Sequence, residues 1–589
     1  MQCASGGWNL FESPVSILHA RRPSEVRSVL EEVQCAVNEG LCAAGFLTYE
    51  AASGLDPAFH THRRSGCLPL VWFGLFRVPK HLPCLDQPCQ GFHVAAWRAS
   101  ESETSYSEAV HRIREYIYRG DTYQVNYSIR LRTRFAGSPY SLFHALCVAQ
   151  RSRYCAFLET DDFAICSASP ELFIKIDGSS IQSRPMKGTS PRGMTTADDR
   201  EVKASLAASE KNRAENVMIV DMIRNDLGKI SEVGSVRVSR LFEIEKYPTV
   251  FQMVSTVEAR TDAPFSQIVA AAFPCASITG APKVRTMDII HKLEKTPRGI
   301  YTGMIGCLMP GGRRGGKTWR EGSFNVAIRT VSIDKRRKEA EYGTGGGILW
   351  DSDPTGEYAE CMTKARVLTH SMPEFELLET VLWTPVSGYV LLERHMSRMA
   401  DSAEYFDFPF NPALIASELM QAASAFGDNS YRVRMTLNRQ NQICIDSRAI
   451  EQVPSIQSLR VVLARTSVDS GDPFLYHKTT NRTVYDAAKK AYSEYDDVIL
   501  QNERGEVTEG CIGNIVAQMG RRLVTPPVSS GILPGTFRGF LLSKNRILEG
   551  VLLPSDLGKA KRLFLINSVR GWIPLEYRYP GAVHDYCMC

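Results

Sequence analysis

A break at residues 368–375 constrains the fold more than any other feature of this chain. A helical run closes at KARVLTH, SMPEF follows with its Pro373, and a strand-like run opens at ELLETVLW. Proline continues neither a helix nor a strand and so marks a boundary. The 589 residues are too many for one hydrophobic core, since domains usually hold about 100–250. The expectation is a two-part α/β (α+β) chain, with domains at 1–370 and 375–589.

Composition narrows the function classes. A formal charge of +5 is small for this length, so charge gives no reason to expect nucleic acid or a membrane surface as partner. No run of about 18 apolar residues offers a membrane span. MQCASGGWNLFESP lacks a basic region followed by an apolar stretch, unlike a secretory signal. The 16 cysteines are scattered and form no C-x-x-C pair for zinc. Scattered thiols fit the reducing cytosol, and a cytoplasmic location is expected.

Periodicity then predicts elements. Residues 76–97 read as a loop. SEAVHRIREYIYRGD reads as an amphipathic helix, with Val110, Ile113, Ile117 and Tyr118 at helical spacing. QVNYSIRLRTRF alternates like a strand. Residues 198–228 read as one long helix, and 323–350 as strands with a glycine-rich turn. Two motifs mislead. Gly311–Thr318, GGRRGGKT, fits a phosphate loop, but that loop needs a following helix, and SFNVAIRTVSI reads as a strand; a basic hairpin turn is the better reading. Gly510-Cys511-Ile512-Gly513-Asn514 resembles a cysteine elbow, yet no histidine–acid pair follows to activate a thiol. No glutaminase is inferred.

Candidate chemistry in the first part centres on SRPMKGTS. Pro185, Gly188 and Thr189 predict a tight loop that could turn Lys187 inward, and a lysine becomes nucleophilic when its surroundings lower its pKa. Asn212 with Glu215, and Glu357 with Glu360, lie three apart on predicted helices and share a face, with Asp353 and Pro354 as a helix start. Such oxygen ligands suit Mg²⁺, although each pair alone is more often a solvated helix face.

The blocks GDTYQVNYS, SASPELF, RPMKGT, KNRAENVMIVDMIRNDLGKI, SITGAPKVRTMDII, RGIYTGMIG, FNVAIRT, GTGGGILWDSDP and EYAECMTKA occur in order. With them the first part, to about residue 368, resembles the chorismate-binding enzyme family, above all its aminodeoxychorismate synthase branch. The resemblance implies layered sheets and helices around a deep pocket. It implies that Lys187, where anthranilate synthases have alanine, attacks C2 of chorismate, that the C4 hydroxyl departs, and that ammonia adds at C4. It implies Glu171 as general acid and Glu215, Glu357 and Glu360 as Mg²⁺ ligands. Substrate contacts are implied for Gln124, Thr189, Thr279, Gly280, Tyr301, Arg329, Gly345 and Gly346. Gln124 stands where isochorismate-type enzymes have a water-activating lysine, which disfavours hydroxylation. Met186 replaces an isoleucine, and Gln252 replaces a histidine of anthranilate synthases. LFES, ending at Ser13, weakly echoes the tryptophan-binding element of the latter; a simple strand is the plainer reading.

The second part carries RHMSRM, DPFLYHKTTNR, EVTEGCIGN, TPPVSSGILPGTFR and LINSVRGWIP. In this order, over about 375–580, they resemble the class IV pyridoxal-phosphate enzymes, which include transaminases and aminodeoxychorismate lyase. The resemblance implies that Lys478 bonds the cofactor, pyridoxal 5'-phosphate, and later acts as base. It implies that Glu509 faces the pyridine nitrogen and that TEGCIGN, ending at Asn514, belongs to the cofactor site. Arg398 and the backbone of Thr536, Phe537, Ser568 and Val569 are implied for the phosphate. HKTTNR and NSVRGWIP look closest to the lyase. The expected function is therefore conversion of chorismate and ammonia to 4-aminobenzoate, a folate precursor, with a separate glutamine amidotransferase subunit supplying the ammonia. A homodimer through the second part is expected. The alternative is the same synthase fused to a branched-chain or D-amino-acid-type transaminase.

Overall fold

The computed structural model describes residues 1–2, 6–63, 66–314, 317–369, 373–450 and 458–578, without the side chains of 312–314 and 317–319. Two compact units emerge, Met1–Pro191 with Lys203–Met372, and Arg192–Val202 with Pro373–Cys589. Arg192–Val202 thus groups with the second unit, although it lies inside the first expected domain. Residues 370–372 of the break lie outside the described residues.

The first unit is built on two mixed-length sheets. In one, the strand Gln124–Gly137 pairs antiparallel with Glu339–Ile348 along almost its whole length and with Gly280–Ala281 at its start. The helices Glu103–Tyr118, Lys283–Leu293 and Pro354–Ala365 share a core with these strands, filled by Tyr106, Ile113, Tyr127, Ile290 and Ile348. In the other, ten-stranded sheet, Met186–Pro191 lies at one end and pairs with Val250–Arg260. Its face packs against the helices Val26–Asn38, Glu210–Gly228 and Phe265–Ala272 through Leu30, Phe73, Ile223, Ile268 and Phe324. The second unit has a four-stranded sheet covered by the helices Leu392–Phe406 and Pro412–Ala423, and an eight-stranded sheet.

Several local expectations need correction. The helix predicted over 198–228 is two, Thr196–Ala208 and Glu210–Gly228. Ser209 adopts extended backbone and its hydroxyl accepts from the Asn212 N–H. A serine that bonds the backbone locally favours a cap over a helix interior. The glycine-rich segment is a strand, not a turn: Gly343–Gly347 sit within Glu339–Ile348. Lys80–Leu82 and Phe92–Val94 are short strands inside the expected loop. Tyr118, expected on the apolar face, is 79% exposed and stacks on Trp350. The strand at the N-terminus stops at Leu10, so LFES runs from strand end into a turn with φ 54° at Ser13. Gly315 and Gly316 of GGRRGGKT lie outside the described residues, but the flanking strands Met304–Arg314 and Lys317–Val326 pair antiparallel. No helix follows the motif, as a phosphate loop would require.

Candidate active sites

Lys187 sits in a strand irregularity rather than in the predicted loop. Register is kept at Met186↔Val254 and Thr189↔Gln252 but shifts between them, and Gly188 has φ +95°. A bulge of this kind re-aims one side chain out of the alternating pattern. The bulge is clamped from two sides, by Asn216 and by Gln252. Asn216 Nδ2 donates to the Lys187 carbonyl at 3.3 Å, Gln252 Nε2 donates to the Gly188 carbonyl at 3.1 Å, and the Thr189 hydroxyl donates to Gln252 Oε1 at 2.9 Å. Thr189 is exposed and its hydroxyl is thus engaged within the strand pair.

The glycine run explains where the amine goes. Asn126 pairs with Gly347, and Gln124 begins the same strand. A Cβ at Gly347 would collide with the Gln124 amide and come within 3.0 Å of Lys187 Nζ. A Cβ at Gly346 would come within 2.8 Å of Glu357 Oε2, and one at Gly343 would overlap the Tyr301 ring. Only glycine leaves this space open, as it does where other groups must approach the backbone. Gln124 Oε1 is buried without a hydrogen-bond partner among the described residues, an acceptor that a ligand can satisfy.

Electrostatics give the residues distinct roles. Burial lowers the Lys187 pKa, opposed by Glu215, Glu171 and Glu360 and reinforced by Lys364. Glu171, 3% exposed, is pushed up to about 7 by burial, against the Ser277 hydroxyl and Lys187. Ser277 Oγ donates to Glu171 Oε1 at 2.6 Å. Glu171 is therefore a carboxyl able to hold a proton near neutral pH. Burial also raises Glu215 and Glu357. Burial would raise Glu360 too, but Lys364 at 2.6 Å outweighs it and holds the carboxyl low. Glu357 accepts from Ser352 at 2.6 Å.

Among the described residues no three Asp, Glu, His or Cys side chains stand close enough together to hold a metal. The acids nevertheless fit one. Glu357 raises the pKa of Glu215 and Glu360 raises that of Glu357, and Mg²⁺ takes as few as one or two carboxylates, completing its octahedron with water and substrate oxygens. Besides Thr189, the expected substrate residues Arg329, Thr279 and Gly345 are partly committed elsewhere. Arg329, at φ 50°, donates to the Lys364 carbonyl and the Tyr342 hydroxyl. Thr279 is fully buried and its hydroxyl donates to the Cys275 carbonyl at 3.1 Å, while Gly280, at φ 143°, abuts the Gln124 carbonyl. Tyr301 lies beneath the Arg130 guanidinium, 5.1 Å from its ring centre. Gly345 offers its carbonyl to Lys364 Nζ at 2.9 Å.

The second site is closed by hydrogen bonds. The Lys478 carbonyl accepts from the Leu378 N–H, and Thr480 exchanges two bonds with Glu376, so the lysine is pinned to the start of the strand Leu377–Thr384. Burial and then Arg398 bring its amine down to about 8. Glu509 and Asn514 face each other across the tight turn at Cys511-Ile512. Glu509 accepts from Tyr485 at 2.7 Å, Asn514 at 3.1 Å and the Leu533 N–H at 3.2 Å. Burial still pushes its carboxyl to about 7. Asn514 also donates to the Leu533 carbonyl. Cys511 of the elbow lookalike is buried, and burial pushes its thiol up to about 12, which rules it out as an activated nucleophile.

Arg398 forms a bidentate pair with Glu379, at 2.8 and 2.7 Å, and donates to the Pro534 carbonyl. Thr536 and Phe537 open the helix Thr536–Ser543 next to it. Val569 is less available than expected, because its N–H donates to Asn567 Oδ1 at 3.1 Å, beside Ser568. Sequence reasoning missed Ser277, Asn216, Tyr485, Glu379 and His395. Glu379 did carry a signal: it shares the inward face of its strand with Leu377 and Val381, all 0% exposed, where an acid is out of pattern.

A half-buried lysine set among carboxyls on a bulged strand, over a glycine-lined floor, is the arrangement of an enzyme site. Residues 11–370 match the family model for chorismate binding enzyme, and the chain belongs to that family. Residues 376–576 match the model for amino-transferase class IV. Aminodeoxychorismate synthase component 1 of Klebsiella aerogenes is 40% identical over 280 residues, 47% of this chain and 60% of that one. Anthranilate synthase component 1 1 of Haloarcula marismortui is 39% identical over 294 residues, 50% of this chain and 58% of that one. The chain thus spans about 60% of the length of the curated relatives it matches. A crystal structure of anthranilate synthase component I from Streptococcus pneumoniae TIGR4 shares the fold, with a TM-score of 0.52 at 22% identity over 63% of this chain and 93% of that chain. No helix among the described residues is long and apolar enough to cross a membrane.

Proposed function

We propose that the chain makes 4-aminobenzoate in two steps, amination of chorismate at C4 followed by elimination of pyruvate. Overall likeness does not choose the first reaction, since synthases of both aminodeoxychorismate and anthranilate match at 39–40% identity. The observation that carries the choice is the Lys187 amine, held at the Gly347 floor beside Gln124. Lys187 adds to C2 of chorismate, the ring double bonds shift, and the C4 hydroxyl leaves as water with a proton from Glu171. Ammonia then adds at C4, the double bonds shift back, and the Lys187 amine is released from C2. Glu215, Glu357 and Glu360 would hold Mg²⁺, which would neutralise the ring carboxylate. The Gln124 amide is not basic enough to take a proton from water, so hydroxylation is disfavoured.

In the second unit, the residues fit a phosphorylated pyridine aldehyde: a buried amine, a buried carboxyl for the ring nitrogen, and Arg398 beside a helix start for the phosphate. Pyridoxal 5'-phosphate, when bound there, supplies an electron sink for the substrate's C4 carbanion. Lys478 takes the proton from C4 of aminodeoxychorismate. The C3–O bond breaks, enolpyruvate leaves and takes up a proton to become pyruvate, and the ring becomes aromatic. Tyr485 and Asn514 keep Glu509, the ring-nitrogen partner, fixed. Ammonia would come from a separate glutamine amidotransferase subunit, and the second unit would pair with a second copy.

Incubation of the full chain with chorismate, ammonium, Mg²⁺ and pyridoxal phosphate tests both steps by product identity. The expected products are 4-aminobenzoate and pyruvate. Anthranilate would overturn the first step; aminodeoxychorismate that accumulates without pyruvate would overturn the second and favour the transaminase alternative.

A further inference from the structure

The pair Arg398–Glu379 does not stand alone. Glu379 is fully buried. Burial alone would raise its pKa, yet Arg398 and His395 outweigh it and hold the carboxyl at about 2. An ionised carboxylate only accepts, so His395 Nδ1 must donate to Glu379 Oε2, 2.6 Å away. The other ring nitrogen, Nε2, meets the Thr536 hydroxyl at 3.2 Å. His395, also fully buried, lies three residues before Arg398 on the helix Leu392–Phe406, so both point from one face. Thr536 is the first residue of the helix Thr536–Ser543, whose leading N–H groups have no partner within that helix. A single carboxylate, through His395, thus ties the Arg398 guanidinium to the start of a helix distant in the chain.

Resting on the reading that this site holds a phosphorylated cofactor, we propose that Glu379 and His395 are positioning residues that align Arg398 and the Thr536 helix start as one phosphate clamp. The guanidinium offers planar donors and the helix start offers backbone N–H groups, both suited to a dianion. Glu379 takes two of the guanidinium nitrogens, Nε and Nη2, and Nη1 is turned to the Pro534 carbonyl. Its rotamer is thereby fixed before ligand arrives, so binding loses little side-chain entropy. His395 does the same for the Thr536 rotamer. The clamp acts on the phosphate and not on the ring, which has Lys478 and Glu509.

The test is equilibrium binding of pyridoxal phosphate and of unphosphorylated pyridoxal to the full chain and to Glu379→Gln and Thr536→Val. Visible absorbance gives the affinities, and phosphorus-31 NMR reports the bound phosphate. Both variants should weaken pyridoxal phosphate by roughly tenfold or more, move its phosphorus resonance, and leave pyridoxal affinity within about twofold. Thr536→Val breaks the relay at its far end without stranding a buried charge, so it remains informative where Glu379→Gln unfolds. Unchanged pyridoxal phosphate affinity in Thr536→Val would overturn the proposal, as would equal weakening of both ligands. A wild-type chain that binds neither ligand would overturn the cofactor reading itself.

Discussion

The two lysines proposed as nucleophiles are half-buried alike but neighboured oppositely. Around Lys187 the leading charge is a carboxylate, Glu215, which opposes the effect of burial; Lys364 adds to burial, and Glu171 and Glu360 oppose it. Around Lys478 the leading charge is Arg398, which adds to burial and brings the amine to about 8. Satisfaction differs too. Glu509 in the second site accepts three hydrogen bonds, and Glu379 is saturated by Arg398 and His395. In the first site Glu171 is bonded by the Ser277 hydroxyl and the Met186 backbone, Gln124 Oε1 has no partner among the described residues, and Glu215 and Glu357 are pushed up by burial. Unsatisfied buried groups cost stability, so the first site leaves an acceptor for a ligand to complete. The second is wired in advance to orient one.

The largest effect that would break this comparison is loss of either lysine. Lys187→Ala should lower chorismate amination by about 10³-fold or more, while pyridoxal phosphate absorbance stays as in wild type. Residual amination near the wild-type rate, followed by product chromatography, would deny Lys187 its role. Next comes Glu171→Gln, expected to cost about 10²–10⁴-fold. Its pH profile sharpens the point. The acid form of Glu171 exists below about 7, so wild-type amination should fall as pH rises through that value, and the variant should lack that limb. Gly347→Ala should be milder, about tenfold in kcat/KM for chorismate, because the new Cβ must displace the Gln124 amide; conversion of supplied aminodeoxychorismate should not change. The smallest effect belongs to Tyr485→Phe. It removes one donor from Glu509 and should cost about 1 kcal/mol of stability, read as a lower denaturation midpoint with the first site's kinetics intact.

Much of this was legible in the chain before folding. The Pro373 break, the helices starting at Asp353–Pro354 and ending near Gly228, and the strand from Gln124 follow from local chemistry that acts over a few residues. The Ser209 interruption was missed because a serine cap and a helical serine look alike without the backbone angles. The Gly343–Gly347 run read as a turn because glycine favours turns locally; its reason for standing in a strand is the Tyr301 ring and the Lys187 amine, both distant in sequence. Lys187, Glu171, Lys478 and Glu509 were nominated from motifs, but the bulge that aims Lys187 depends on pairing with Gln252 and Val254 more than sixty residues away. His395 and Thr536 are separated by 141 positions, and no periodicity in either segment announces their contact.

The account rests on two independent lysine chemistries in series, and mixing single-lysine variants tests that most directly. Lys187→Ala and Lys478→Ala chains are incubated separately and together with chorismate, ammonium, Mg²⁺ and pyridoxal phosphate, and 4-aminobenzoate is measured. Each alone should give none, with aminodeoxychorismate accumulating only in Lys478→Ala, and the mixture should restore 4-aminobenzoate. Formation of 4-aminobenzoate by either variant alone, or a mixture that accumulates aminodeoxychorismate without converting it, would contradict the account.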